Sequence, residues 1–459
     1  MKTSRRQFLR TIGATTAGIL VAPYLKSANI FSYGHQAAAG KLATVAITQG
    51  SIYERTFIKN RVQHLFESLS GIGDVVRAGQ KVAIKINLTG GSGSAYSSVL
   101  HGVPITESMW THPEVLRAVG ELLIDAGVRG SDITIVEALW DAASYNNFGY
   151  LDVQRSLGAQ MVNLNNKDPY ASFINKEVGS NKFYYTSFIM NQVLADTNVY
   201  VSIPKMKQHY DAGVTCSLKN QVGAVPMQPY VMPNDNRRAK LHFEGGDISF
   251  MLPHSICDLN LARPVHLAVI DGIKNALGGE GVWNSTFRLA ESHVLLAGKD
   301  PVATDSVAAY LMGNNPEAKK LRLPDGVRQC DNYLDLLHQK GIGTNQMSEI
   351  EIVGDGAGLV TSVRPEIKAN IPDTIQLYQN YPNPFNPSTT ITFYLPRSEQ
   401  VNISVYNIAG QVIDTLVDGE VPAGQHELRW SAKALASGMY VCRLQAGGFA
   451  EAKKLIYQK

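Results

Sequence analysis

Between about Gly40 and Ile371 the chain alternates short apolar runs with stretches whose apolar residues recur every three or four positions. The runs Leu42–Thr48, Lys81–Leu88, Asp132–Ala138, Gln160–Leu164, Asn198–Ile203, His266–Ile270, His293–Ala297 and Glu349–Val353 are short and mostly continuous, which predicts buried strands. Helical periods fall at Asn60–Leu69, Pro113–Ala126, Asp152–Leu157, Ile248–Leu261, Pro301–Met312 and Asp331–Gln339. In the second of these Pro113 fits a first turn, Val115, Leu116, Val119, Leu122 and Leu123 share one face, and Gly127 fits the cap. Apolar strands separated by helices predict an α/β domain with a mostly parallel sheet and helices on both faces.

Towards the C-terminus the period changes. The runs Val401–Ile408, Gln411–Val417, His426–Trp430, Met439–Leu444 and Ala452–Tyr457 are short and alternating, and "NIAGQ", "DGEVPAG" and "LASG" between them are turn signals. This pattern predicts a small Ig-like β-sandwich. The polar segment "RPEIKANIPD", with two prolines, reads as a linker at 364–373. The expected division is an α/β domain over 40–363 and a sandwich over 374–459. A chain of 459 residues is long enough for both, because a single core rarely grows beyond about 250–300 residues.

The N-terminus carries a different pattern: basic residues, a modest apolar run from Thr11 to Leu25, then "AAAG" at 37–40. That order reads as a cleavable signal peptide over 1–39. The apolar run is too short and too rich in Gly and Thr to span a bilayer, which takes about 20 strongly apolar residues. Ser4, Arg5, Arg6, Phe8 and Leu9 resemble the twin-arginine export signal, whose pathway carries folded proteins. Removing residues 1–39 takes away five basic residues and no acid, so the formal net charge falls from +3 to −2. A mature chain of that charge has no global attraction to nucleic acid or anionic lipid. The four cysteines, Cys216, Cys257, Cys330 and Cys442, are widely spaced singles without a C-x-x-C pair, so no iron–sulfur or structural zinc motif is present. Their disulfide state is left open.

Candidate chemistry gathers after the predicted strands. In open α/β sheets ligands bind beyond the carboxyl ends of the strands. There the chain places Lys85 and Asn87, Glu137, then Lys205, Lys207 and His209 in "VSIPKMKQH", Asp271, Glu280 in "GGEG", and Lys299 and Asp300. A lysine inside the apolar run "VAIKINL" needs a partner or a ligand. Asp300 before Pro301 also fits a helix N-cap, and Gly278, Gly279 and Gly281 fit a turn as well as a cradle. No nucleotide-binding fingerprint or H-E-x-x-H occurs.

The stretches "VAIKINL", "THPEVLRAVGELLIDAG", "VSIPKMKQH…GVTCSLKNQVG", "AVIDGI" with "GGEG", and "LAGKDPVATDSVAAYLMG" resemble the domain of unknown function 362 family across most of 43–353. The resemblance implies an α/β domain, in other members frequently fused to an iron–sulfur module. The order strand, Pro, basic residues, His, Gly, Lys is also faintly similar to the nickel-pincer lactate racemases. At the other end "YPNPFNP", "VYNIAGQ" and "ALASGMYVCRL" resemble the C-terminal sorting domain of type IX secretion substrates. These resemblances imply passage through the twin-arginine translocase and the type IX machinery, by way of the periplasm, to the cell surface or beyond.

The expected function is that of an enzyme acting on an anionic small molecule, a carboxylate or phosphate. Lys85, Lys205, Lys207 and Lys219 would neutralise the anion, and Asn87, Asn220 and Asp271 would complete the ligand-binding set. His209 would serve as general acid or base, and Lys205 or Lys219 as base or Schiff-base nucleophile. Asp271, Glu280 and Asp300 would hold a divalent metal if one is present, and export by the twin-arginine route, which carries folded proteins, fits a bound metal or organic cofactor whose identity the sequence leaves open. The alternative is a non-catalytic surface protein that binds an anion or metallo-cofactor in the same pocket.

Overall fold

The computed structural model describes residues 42–92, 99–100, 103–233, 238–244, 247–284, 286–326, 328–361, 375–377, 380, 383–422 and 424–458. The segments 1–39 and 364–373, expected to be a signal peptide and a linker, lie outside the described residues.

One sheet organises the first part of the chain. Its strands are β1 (Ala43–Gln49), β2 (Val82–Lys85), β3 (Ile133–Glu137), β4 (Gln160–Asn163), β5 (Val199–Ser202), β6 (Lys205–His209), β7 (Gly213–Thr215), β8 (Leu267–Leu277), β9 (Arg288–Ala290), β10 (Val294–Gly298) and β11 (Ile350–Val353). The main path runs β11-β1-β10-β8-β5-β2-β3-β4. Neighbours along it are parallel except where β10 meets β1 and β8, so the sheet is mixed and mostly parallel. All eight strands of this path fall on the apolar runs of the sequence. The strand β6 and its partner β7 do not; the sequence predicts a basic loop there.

Among the described residues six helices of seven residues or more accompany the sheet: α1 (Arg55–Ser68), α2 (Pro113–Asp125), α3 (Tyr150–Leu157), α4 (Ile248–Ala262), α5 (Pro301–Leu311) and α6 (Tyr333–Gln339). In α2 the His112 side chain accepts the Glu114 N–H, Pro113 opens the first turn, and Gly127 follows with φ +100°. Ile58, Val62 and Leu65 of α1, Val115, Leu116, Val119 and Leu123 of α2, and Val153 of α3 pack on Val82, Ile84, Ile133, Ile135, Val199 and Val201. The alternate strand residues, among them Ala83, Tyr200, Ala268, Ile270 and Leu296, are buried too. On that second side α5 packs against β1, β8 and β10. Pro301 to Ala309 are all buried, as expected of a helix that is apolar on every side.

The strands after Ile375 form two antiparallel sheets. One joins Gln376–Leu377, β12 (Ser388–Leu395) and β15 (Gly424–Ser431); the other has the order β14 (Val412–Val421), β13 (Glu399–Tyr406), β16 (Gly438–Ala446), β17 (Phe449–Tyr457). Along β12 every second residue is buried, and Ile391, Phe393 and Leu395 join Val401, Ile403, Val405, Trp430 and Leu444 in a core of their own. This is an Ig-like sandwich. All four cysteines are buried and free.

Candidate functional site

A cavity of about 390 Å³ opens beyond the ends of β2, β3 and β6. β2 brings Lys85 to its floor, with Asn87 two residues on; β3 brings Glu137, β6 ends in His209, and the turn Lys219–Ala224 adds Lys219 and Asn220. Glu280 and Arg238 close further sides.

Lys85 is fully buried and spends all three of its protons. Its Nζ donates to Glu137 Oε2 at 2.9 Å, Ile86 O at 2.7 Å and Asn220 Oδ1 at 3.2 Å. Desolvation lowers its pKa and the Glu137 charge works against that shift. Glu137 is held in turn by the Leu88 and Ala138 N–H groups. Gly223 lies against this pair: a Cβ there would sit 2.6 Å from Glu137 Oε1 and 2.9 Å from Lys85 Nζ.

Lys205 and Asp271 meet elsewhere. They are register partners on β6 and β8, both fully buried, with Lys205 Nζ 2.9 Å from Asp271 Oδ2. Tyr53 accepts from Lys205 at 2.7 Å and donates to Asp271 Oδ1 at 2.8 Å, and the His112 N–H reaches Asp271 Oδ2 at 3.1 Å. Neither charged residue lines the cavity. Lys207 is buried between the two groups, donating to Asn87 Oδ1 at 2.8 Å and Met109 O at 2.9 Å without a carboxylate partner. Burial and the neighbouring Lys219 push it down to about 7. Its link to the cavity runs through Asn87, whose Nδ2 donates to Asn220 Oδ1.

His209 Nδ1 accepts the Asp211 N–H at 3.1 Å, so the neutral ring carries its proton on Nε2. Burial and Lys219 hold its pKa well below the usual range. Burial would raise the Glu280 carboxyl, but His209, the Tyr210 N–H and the Trp283 indole outweigh it and bring Glu280 down to about 2. Lys219 is lowered to about 8, burial outweighing the attraction of Glu280 and Asp211. Among the described residues no hydrogen bond or ion pair ties down its ammonium. The turn that carries it is fixed from below: the two oxygens of Asp305 in α5 accept the Ser217 and Leu218 N–H groups, each at 2.8 Å.

Of the residues singled out in the sequence, Lys85, Asn87, His209, Lys219, Asn220 and Glu280 come together at the cavity; Lys205, Lys207 and Asp271 lie beneath or beside it. Lys299 and Asp300 do not converge with them. β10 runs antiparallel to β8, so its carboxyl end lies at the opposite edge of the sheet. Lys299 pairs with Asp74, and Asp300 caps α5 through the Val302 and Ala303 N–H groups. Among the described residues no three His, Cys, Asp or Glu side chains group as a metal site. Arg238, Trp140 and Trp283 line the cavity without having been singled out in the sequence. No period marks them, because each arrives on a loop or a single short turn.

The family model for the domain of unknown function 362 matches residues 82–310, and that for the secretion system C-terminal sorting domain matches 379–458. The chain therefore joins a domain of that uncharacterised family to a type IX sorting domain, which marks it for export to the cell surface or the extracellular space. It is 24% identical over 276 residues to the thylakoid-associated protein sll1697 of Synechocystis sp., covering 60% of this chain and 75% of that one. Among solved structures, the first Ig domain of mouse SynCAM 2 covers 16% of this chain and 82% of that one at 11% identity, with a TM-score of 0.12. An engineered protein covers 90% of this chain and 100% of its own at 10% identity, with a TM-score of 0.15. No described helix is long and apolar enough to cross a membrane.

Proposed function

We propose that the cavity binds an anionic small molecule, a carboxylate or phosphate, and acts on it by proton transfer. The observation that carries this reading is Lys219: an ammonium without a protein partner among the described residues, facing a cavity large enough for a ligand. Its pKa of about 8 keeps it charged near physiological pH yet able to give up a proton, so it can hold the anion and act as a general acid. His209 would donate its Nε2 proton to the anion; with Nδ1 occupied by the Asp211 N–H, it acts as a donor rather than as the base. Lys85, Asn87 and Asn220 would shape the floor, and Lys205, Lys207 and Asp271 would hold that floor in place. Isothermal titration with acetate and phosphate tests binding, which Lys219→Ala should abolish. NMR of the protein incubated with mixed carboxylates and phosphates tests turnover. Binding without any conversion would leave the non-catalytic alternative standing.

The basic start of the chain supports a twin-arginine route to the periplasm before type IX export. Lysines at positions 5 and 6 should then strand a folded precursor inside the cell.

A further inference from the structure

Lys219 is not alone in keeping protons to spare; Arg238 lines the same cavity and is only 4% exposed. Its Nε donates to Val225 O at 3.0 Å and its Nη2 to Ala138 O at 3.4 Å. Its Nη1 makes no hydrogen bond among the described residues, and none of their carboxylates forms an ion pair with it. Burial pushes its pKa down to about 10, and the one charge that opposes this is Glu137. Glu137 is already committed to Lys85 and to the Leu88 and Ala138 N–H groups. A buried guanidinium is costly without a counter-charge of its own.

The main chain is strained at the same residue. Arg238 has φ +58° and ψ +43°, a left-handed conformation that residues with a Cβ rarely adopt. Strain of this kind gathers where a side chain has to be held towards a ligand. Lys219 enters from the turn Lys219–Ala224, whereas Arg238 enters from the residue before the short helix Ala239–Phe243. Burial lowers the Lys219 pKa, Glu280 and Asp211 oppose that shift, and Arg238 adds to it. The two cations therefore repel each other within one cavity, whose 390 Å³ is in the range that holds whole small molecules.

We infer that the ligand carries two acidic groups, one meeting Lys219 and the other the Nη1 edge of Arg238, as a small dicarboxylate or a phosphorylated carboxylic acid does. This rests on the anion reading above and adds the second acid to it. A guanidinium presents a planar fork of N–H donors, and that fork matches the paired oxygens of a carboxylate or phosphate.

The test compares matched probes, succinate with butyrate and phosphonoacetate with ethylphosphonate, by calorimetric titration of the full chain at constant ionic strength. The member with two acidic groups should bind about tenfold or more tightly, the scale of one charge-assisted hydrogen bond. A preference in the first pair alone would mark a dicarboxylate, and one in the second alone a phosphorylated acid. Arg238→Met should erase the ratio, while Arg238→Lys, which keeps the charge without the fork, should retain part of it. Arg238→Gly suits the left-handed backbone and should lose the ratio in a protein that still folds. Equal affinities within both pairs in the wild type would overturn the second acid while the anion site stood. A ratio that survives Arg238→Met or Arg238→Gly would overturn the role of Arg238. If none of the four probes binds, the anion reading falls and this inference with it.

Discussion

Lys205 Nζ lies 2.9 Å from Asp271 Oδ2, with both side chains fully buried and Tyr53 bridging them. Breaking such a pair by removing one member strands a charge in the interior. Asp271→Ala should therefore cost about 3–5 kcal/mol, read as a shift of the urea midpoint. Replacing both residues with apolar ones of similar volume should recover most of that loss. A single variant as stable as the wild type would show that the pair is not buried in solution.

Binding of a simple anion should depend on pH through Lys219. A lysine lowered to about 8 is charged below that pH and neutral above it. Affinity for acetate or phosphate should be nearly flat from pH 7 to 8 and then fall by about tenfold per unit as the ammonium is lost. Lys219→Arg should bind across the whole range. An unchanged wild-type affinity at pH 9.5 would refute the assignment.

Stability should move the other way. Lys85, Lys205, Lys207 and Lys219 all have folded-state pKa values below the ordinary lysine value, Lys207 at about 7. Between about pH 7 and 10 the unfolded chain then binds more protons than the folded one, so unfolding free energy rises with pH. Urea midpoints measured at pH 7, 8 and 9 should increase, and Lys207→Met should flatten the slope. A slope that Lys207→Met leaves unchanged would count against its lowered pKa.

Asp305 offers a test at a distance. Both of its oxygens accept backbone N–H groups from the turn before Lys219, although Asp305 itself does not line the cavity. Asp305→Asn turns one acceptor into a donor and should cost about 1–3 kcal/mol. It should also weaken anion binding by letting the turn shift. Full affinity in a destabilised Asp305→Asn protein would show that the turn holds its shape without the clamp.

The hydrophobic pattern made the eight-strand path legible because buried parallel strands are written as continuous apolar runs. It did not show β6, since Lys-Met-Lys-Gln-His reads as a polar loop unless the acceptors for its charges are known. Those acceptors, Asp271 for Lys205, and Asn87 and Met109 for Lys207, lie 66, 120 and 98 residues away. Strand direction is equally silent in the pattern. β10 is as apolar as its neighbours, and only its antiparallel pairing sends Lys299 and Asp300 away from the site. Asn87 and Asn220 were within reach because "VAIKINL" and "SLKN" put them within two residues of a lysine. Trp283 was not, because an aromatic ring in a loop is ordinary surface until a cavity is seen beside it.

The pairing of β1 carries a consequence for how the molecule is built in time. Its two neighbours are β10, where Val45 faces Gly298, and β11, where Ala43 faces Ile350. The first strand to leave the ribosome must therefore wait for about 250 to 300 further residues before either edge is matched. Closing so large a loop is slow, while β2, β3 and β4 can pair as soon as they are made. The sheet should assemble outward from β2 and β3, with β1 and β11 the last strands of the path to lock. A chain ending before Ile350 would leave one edge of β1 open to intermolecular pairing, so pulse-labelled hydrogen exchange should find Val45 and Ala46 protected after Ile84 and Ile135.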